Sequence, residues 1–183
     1  MALIILSKPL WIYDFRRIRK NPLTYILLAI AFVLPVLTMS MLYGLLLFAV
    51  EGDVSLIPAG AAANYAQSFS LLNNVGLMMI IFISLIVAQD FSQFTVRNKI
   101  IAGYSRTKIY FNVLIVNLVL ALGTTFINSS STYLTALLFQ GFQNPEFWEV
   151  FKFGLIGYSS VMMLFAFNTL LVVNFKKATG PLL

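Results

Sequence analysis

Residues 89–112 read QDFSQFTVRNKIIAGYSRTKIYFN and form the only long polar interval between two long apolar blocks. They carry four cations and one acid: Arg97, Lys99, Arg106, Lys108 and Asp90. The local chemistry predicts a short helix, a break and a second helix. Ser92 can cap the first helix, and Gly103 can end it because glycine adopts a left-handed backbone without steric penalty. Ser105 can then cap a helix that enters the next apolar block, so we predict an amphipathic helix-turn at a membrane surface.

Composition places the whole chain in a bilayer. Of its 183 residues, 60% are hydrophobic and only 10% are charged, whereas a soluble domain has roughly a quarter charged residues. The sequence contains no cysteine and no histidine, which removes disulfides, thiolate catalysis, the usual zinc sites and histidine acid–base chemistry. The net charge of +6 fits cytoplasmic membrane ends that meet anionic lipid. Nucleic acid is not a predicted partner, since no basic stripe with stacking aromatics lies outside the apolar blocks.

Four apolar stretches are long enough to cross a bilayer, because about 20 apolar residues span its hydrocarbon core. The predicted spans are residues 23–50, 69–88, 109–129 and 153–175, with a polar coupling segment at 89–108. Asn21 and Pro22 can cap and begin the first span. Residues 51–66 are predicted to form a loop. Residues 130–148 are either a continuation of the third span or a partly inserted segment on the outer side. The predicted fold is an all-α integral membrane protein, a polytopic helix bundle forming one transmembrane domain.

Residues 1–21 predict an amphipathic helix that lies in the membrane interface. Trp11, Phe15 and Ile18 fall on one face at helical spacing, and cations occupy the remainder. Aromatic anchors with cationic edges are typical of a helix lying flat among lipid headgroups. The predicted anchors are Trp11, Arg16, Arg17, Arg19 and Lys20. A signal peptide is disfavoured, because the following apolar stretch is far longer than a signal-peptide core.

The distribution of basic residues predicts the orientation. Five precede the first span, four lie in the coupling segment and two follow the fourth span, whereas only Lys152 falls on the opposite side. Four acids share that opposite side: Glu51, Asp53, Glu146 and Glu149. Because these loops are short, the positive-inside rule places both termini and the coupling segment in the cytoplasm.

Some spans carry polar side chains. Asn73 and Asn74 lie near the start of the second span, and Asn117, Thr124 and Asn128 recur at near-helical spacing along the third. Such a stripe is expected to face protein or water rather than lipid. Intramembrane amides more often join helices than bind ligands, which favours helix packing. The sequence alone does not decide between helix packing and a substrate path.

The chain has no motif for an energy-supplying reaction. It contains no phosphate-binding loop, no acidic pair within a span and, without histidine, no Ser–His or Cys–His pair. We therefore predict that it is not an enzyme, and that any uphill transport would be driven by another polypeptide.

Residues 94–110 resemble the characteristic cytoplasmic motif of bacterial type-2 ABC exporter permeases. Members of that family carry a similar run, with basic-Asn-Lys, a glycine and Ser-Arg-x-x-aliphatic-Tyr, between their second and third spans. The basic amphipathic N-terminus also looks like the family's interfacial connecting helix. The resemblance extends over the layout of the whole chain.

The resemblance implies a multi-pass permease subunit in the bacterial plasma membrane. It would pair with a second permease subunit, as a homo- or heterodimer, and dock a cytoplasmic ABC ATPase subunit. ATP and magnesium would be held by that ATPase, and this chain would need no cofactor of its own. By match to the motif, the docking residues are Arg97, Asn98, Lys99, Gly103, Ser105 and Arg106. Anchoring to anionic lipid is the alternative role of the cations, but lipid binding needs neither a glycine break nor serine caps.

The chain departs from the family in its number of spans. Such permeases usually have six, four are predicted here, and Pro181-Leu182-Leu183 looks like the opening of another apolar segment. The chain is therefore a shortened product or a fragment, or the four-span form is real. The alternative function is a non-transporting four-span immunity, sensory or scaffold protein of the membrane. The substrate stays open, because peptides, antibiotics, lipids and ions all fit an apolar path with a few amides.

Overall fold

The computed structural model describes residues 10–49, 60–70, 74–92, 95–140 and 147–178, and all regular secondary structure there is helical. The seven helices of these ranges are α1 (Leu10–Lys20), α2 (Pro22–Ala49), α3 (Ala61–Gln67), α4 (Asn74–Ser92), α5 (Thr95–Ile101), α6 (Arg106–Gln140) and α7 (Phe147–Ala178). The prediction of an all-α fold is confirmed for these residues.

Three of the described helices are long and apolar enough to cross a membrane. The candidate spans are Pro22–Leu45, Arg106–Phe139 and Phe147–Leu171. Their outer surfaces carry large apolar side chains such as Leu138 and Met163, which are well exposed in the isolated chain. Soluble proteins rarely expose so much apolar surface, so these faces are expected to contact lipid. The chain is therefore a membrane protein. The predicted span 69–88 overlaps α4, and its crossing of the membrane stays a prediction.

The third predicted span is longer than expected. The predicted end lies at about residue 129, but α6 continues to Gln140, so the predicted alternative that residues 130–148 continue the third span is confirmed for residues 130–140. The hydroxyl side chains of this run bond within their own helix. Thr132 Oγ1 donates to the Asn128 carbonyl at 2.8 Å, and Thr135 Oγ1 donates to the Ser131 carbonyl at 2.7 Å. Hydroxyls satisfied in this way do not end a helix.

Other boundaries also differ from the prediction. The loop predicted over residues 51–66 is wrong from Ala61 onward, where α3 forms. Phe69 lies in a turn rather than at the start of a span, and α4 begins at Asn74. Ser92 is the last residue of α4, and α5 begins at Thr95, so the predicted cap by Ser92 involves residues 93–94, which lie outside the described residues. The first span agrees closely, since α2 covers Pro22–Ala49.

Helix α6 forms the centre of the bundle and packs against all six other described helices. The apolar core draws Leu27 from α2, Ile83 from α4, Val116 from α6 and Phe165 from α7, with Ile18 of α1 at its edge. Helix α6 is the most buried of the three candidate spans, and its buried face carries many of the polar side chains of the bundle.

Candidate functional site

A buried ionic cluster joins three helices at the end of the bundle that carries the cations. Asp14 of α1 is only 4% exposed, and its Oδ2 lies 2.6 Å from Lys99 Nζ of α5. Asn112 of α6 donates from Nδ2 to the same carboxylate oxygen. We call Asp14, Lys99 and Asn112 the Asp14 cluster. One carboxylate thus ties the N-terminal helix to the short helix and to the central helix.

A second cation borders this cluster. Arg17 lies one turn after Asp14 on α1. Burial lowers the pKa of Arg17, and the neighbouring Asp14 carboxylate offsets only part of this shift. A guanidinium keeps its proton in proteins, so Arg17 carries a positive charge. The region therefore combines one buried anion with two cations.

Helix α1 presents different faces from those predicted. Trp11 is 51% exposed, but Ile18 is only 8% exposed and packs into the core. The prediction of one interfacial face shared by Trp11, Phe15 and Ile18 is therefore wrong at Ile18. The inner face of α1 is formed by Asp14 and Ile18, which are four residues apart and hence neighbours on a helix. Of the predicted cationic anchors, Arg16, Arg19 and Lys20 are exposed.

Asn21 links the corner between α1 and α2 to the end of α4. Its Oδ1 accepts a hydrogen bond from the Leu23 backbone N–H at 3.0 Å, which confirms the predicted helix cap. Its Nδ2 donates to Gln89 Oε1 at 2.8 Å. Together with the Asp14 cluster, this contact fixes α1 against the ends of α4, α5 and α6.

Helix α5 ends as the glycine predicts. Gly103 has a positive φ of 87°. Its N–H donates to the Ile100 carbonyl at 3.0 Å, and the Tyr104 N–H donates to the Lys99 carbonyl at 3.1 Å. These two bonds form a Schellman motif. The Lys108 N–H then donates to Ser105 Oγ at 3.4 Å as α6 begins, so the predicted helix, break and capped helix are confirmed.

Gly103→Ala is expected to destabilise this turn by about 1–2 kcal/mol, because an L-residue disfavours a left-handed backbone. The measurement is thermal unfolding of the purified chain in detergent, together with the rate of limited proteolysis between α5 and α6. Gly44→Ala is the matched control, since Gly44 lies within α2 and a Cβ there meets nothing within 4 Å. Equal melting temperatures and cleavage rates for the two variants would contradict the prediction.

The six predicted docking residues do not act alike. Five of them are exposed: Arg97, Asn98, Gly103, Ser105 and Arg106. Lys99 instead points inward, and its side chain is only 11% exposed beside Asp14. Ile101, which the motif did not assign, is 74% exposed. The outer side of α5 and the turn after it therefore expose both cations and an aliphatic side chain. On the inner side of α5, Lys99 contacts Asp14.

Sequence reasoning missed Asp14 and Asn112. The available signal was that Asp14 is the only acid among the first 21 residues, within a cluster of cations. A lone acid four residues before Ile18 predicts an inward polar contact once Ile18 is placed in the core. Nothing local indicates that the contact is made with Lys99, which lies 85 residues away in sequence.

The polar stripe of α6 faces other helices, as its spacing predicts. Asn117, Thr124 and Asn128 are all buried. Asn117 Nδ2 donates to Thr169 Oγ1 of α7 at 3.1 Å, and Asn128 Nδ2 donates to the Ser68 carbonyl after α3 at 3.2 Å. Thr124 Oγ1 bonds to carbonyls of its own helix. Two of the three side chains thus join helices.

The remaining predicted polar pair is only partly visible. Asn73 lies outside the described residues, and Asn74 is the first residue of α4. Among the residues that the structure describes, no group of three or more Asp and Glu side chains is placed to hold a metal ion.

Comparison with known proteins gives no relative. No protein-family model matches the chain, no curated protein matches it, and no solved structure matches it. Its function is therefore argued from the helix-turn, the Asp14 cluster and the polar stripe.

Proposed function

We propose that this chain is the permease subunit of an ATP-driven exporter resembling the type-2 ABC class, energised by a separate cytoplasmic ATPase. The observation that supports it is the two-sided character of α5. Its outer side exposes Arg97 and Ile101, while its inner side is fixed to α1 through Lys99 and Asp14. Cations that only bind lipid headgroups require no such inner attachment.

In this proposal α5 has a mechanical role. Helix α5 is short, lies between α4 and α6, and contacts both. A partner that displaces α5 would move α1 through Lys99 and Asp14, and α6 through the Asp14–Asn112 hydrogen bond. Because α6 packs against every other described helix, such a displacement would reach the whole bundle.

The remaining parts of the proposal follow from charge and apolar surface. The basic ends face the cytoplasm, the chain lies in the bacterial plasma membrane, and α4 forms a fourth span. A second permease subunit covers part of the apolar surface, and lipids contact the rest. Trp11, Arg16, Arg19 and Lys20 lie at the headgroups. The ATPase supplies ATP and magnesium.

The test is copurification of a phosphate-loop ATPase with the tagged chain from native membranes. Arg97→Glu combined with Arg106→Glu reverses two exposed charges without touching the Asp14 cluster. We expect at least a tenfold loss of bound ATPase, since losing one partner of a charge pair that docking buries costs about 2–5 kcal/mol. Lys99 is left unchanged, because its replacement would also break the ion pair with Asp14 that holds α5 against α1.

The matched control is Arg16→Glu combined with Arg19→Glu, which reverses two exposed charges on α1. This control is expected to keep the ATPase bound. Unchanged ATPase recovery in the Arg97/Arg106 variant, with normal insertion and melting temperature, would refute the docking role. If the unaltered chain inserts and folds but brings down no ATPase, the exporter proposal fails and the membrane fold stands.

A further inference from the structure

A groove of about 460 Å³ opens on the side of the bundle, between α2 and the end of α3. Its described lining residues are Thr38, Met39, Leu42, Gln67 and Ser70. The α2 residues of the groove lie in the last third of the candidate span Pro22–Leu45, at the end opposite the Asp14 cluster. Because a span ends where the hydrocarbon core ends, the groove is level with the boundary between acyl chains and headgroups.

Two polar side chains of the groove have no partner in the protein. Gln67 and Ser70 are both exposed. Within the part of the chain that the structure describes, neither the Gln67 amide group nor the Ser70 hydroxyl makes a hydrogen bond. Thr38 differs, since its hydroxyl donates to the Leu34 carbonyl of its own helix at 2.9 Å. Polar groups that face lipid without a partner are costly, so the two free donors require an acceptor from outside the chain.

The inner side of α3 holds these donors in place. Asn64 Nδ2 donates to the Tyr43 hydroxyl of α2 at 2.8 Å, and the Ser68 carbonyl accepts from Asn128 Nδ2 of α6 at 3.2 Å. Both contacts are buried. The polar wall of the groove is therefore attached to the bundle before anything binds, which lowers the entropic cost of binding.

We propose that this groove binds a diacyl phospholipid, whose ester carbonyls accept hydrogen bonds from Gln67 Nε2 and Ser70 Oγ. Ester carbonyls lie at the boundary between acyl chains and headgroups, and they are acceptors only, so they complement two donors. None of the described lining residues is charged, which favours the ester region over the phosphate. The volume falls within the range of about 300–1,000 Å³ that is usual for ligand clefts.

The rest of the lipid has an apolar surface to follow. Among the lining residues, Met39 is buried and Leu42 is exposed, so they form the floor and one apolar wall. Toward the middle of the span, α2 exposes Leu37 and Val33, along which an acyl chain can lie. This site rests on the groove and on its two free donors, and it does not depend on the exporter proposal.

The test compares two lipids that differ only in their linkage. Dioleoyl phosphatidylcholine has two ester carbonyls, and its dialkyl ether analogue has none. Native mass spectrometry of the purified full-length chain in non-ionic detergent measures both complexes in one sample, because the masses of the lipids differ. One neutral hydrogen bond changes affinity by about two- to tenfold. With two donors, we expect the ester lipid to bind at least about fivefold more tightly than the ether lipid.

One double variant removes the donors. Gln67→Leu combined with Ser70→Ala is expected to abolish the preference for the ester lipid. The matched control is Ser159→Ala combined with Ser160→Ala, which removes two exposed hydroxyls from α7. Both of these hydroxyls donate to the Ile156 carbonyl of their own helix, so the control is expected to keep the preference.

A second pair of variants tests the space. Leu42→Trp places a large ring in the groove and is expected to abolish the preference by excluding the lipid. Met41→Trp is the matched control, because Met41 is 71% exposed on the same helix and does not line the groove. It is expected to keep the preference for the ester lipid.

Three results would overturn the proposal. The first is equal binding of the ester and ether lipids by the unaltered chain. The second is a preference that survives in the Gln67/Ser70 variant. The third is a lipid-free dimer of the unaltered chain that Leu42→Trp converts to a monomer, which would show that a second copy occupies the groove. If the Gln67/Ser70 variant does not fold, the tryptophan variants decide, and the same preference in Leu42→Trp and Met41→Trp excludes this groove.

Discussion

Asp14→Leu is expected to destabilise the chain by about 3–5 kcal/mol, the usual cost of removing one partner from a buried ion pair. The Asp14 and Lys99 side chains are only 6% and 11% exposed. Without the carboxylate, the Lys99 ammonium loses its counter-charge and Asn112 loses its acceptor. Lysine can extend its charged end toward water, which places the expected loss toward the lower end of the range.

The measurement is equilibrium unfolding in detergent, with limited proteolysis of α1 as a local readout. Glu149→Leu is the matched control, since Glu149 is an exposed acid at the opposite end of the bundle, and it is expected to change stability by no more than about 0.5 kcal/mol. The double variant Asp14→Leu with Lys99→Leu removes both charges and is expected to be more stable than Asp14→Leu alone. A single variant as stable as Glu149→Leu would show that the pair carries no such energy.

Local chemistry was sufficient to predict several features of this fold. Hydropathy placed the apolar helices, because about 20 apolar residues suffice to cross a bilayer. The conformational preferences of Asn21, Gly103 and Ser105 predict that they are caps, and each makes the predicted contact. Caps are predictable because the atoms that they bond lie within a few residues.

Contacts between distant segments were not predictable in this way. The partner of Lys99 lies on α1, and no sequence pattern marks a pair that forms only when the bundle folds. Helix α3 was missed for a related reason. It spans only Ala61–Gln67, which is too short to be stable alone, so its packing against α6 and α7 must supply the stability.

Helix α7 accommodates that packing through two glycines. A Cβ built on Gly157 would lie 2.5 Å from Cδ1 and Cδ2 of Phe69, which is far inside van der Waals contact. At Gly154 the nearest atom is the Tyr65 hydroxyl at 3.1 Å. Small residues permit such close approach between elements in a membrane. The turn after α3 therefore rests directly on the backbone of α7.

Gly157→Ala is expected to destabilise the bundle by about 1–3 kcal/mol, the usual cost of overpacking. The Phe69 ring has little room to yield, because it packs edge-on against Tyr65 at 5.2 Å and Tyr158 at 5.1 Å between ring centroids. Thermal unfolding in detergent measures the effect. Gly154→Ala is expected to cost less, since its nearest contact is the outer end of a side chain.

Gly123→Ala is the matched control for both variants. Gly123 lies within α6, and a Cβ there meets nothing within 4 Å. Alanine favours a helix over glycine by about 1 kcal/mol, so this variant is expected to be as stable as the unaltered chain or slightly more stable. A loss of stability at Gly123 as large as that at Gly157 would show that the cost at Gly157 does not come from the lack of space beside Phe69.

The ring contact itself is tested by a double-variant cycle. If Gly157→Ala acts through Phe69, its cost should largely disappear in a Phe69→Ala background, because the added methyl group then meets empty space. Independent, additive effects of the two substitutions would instead mean that the cost of the methyl group does not arise at the Phe69 ring.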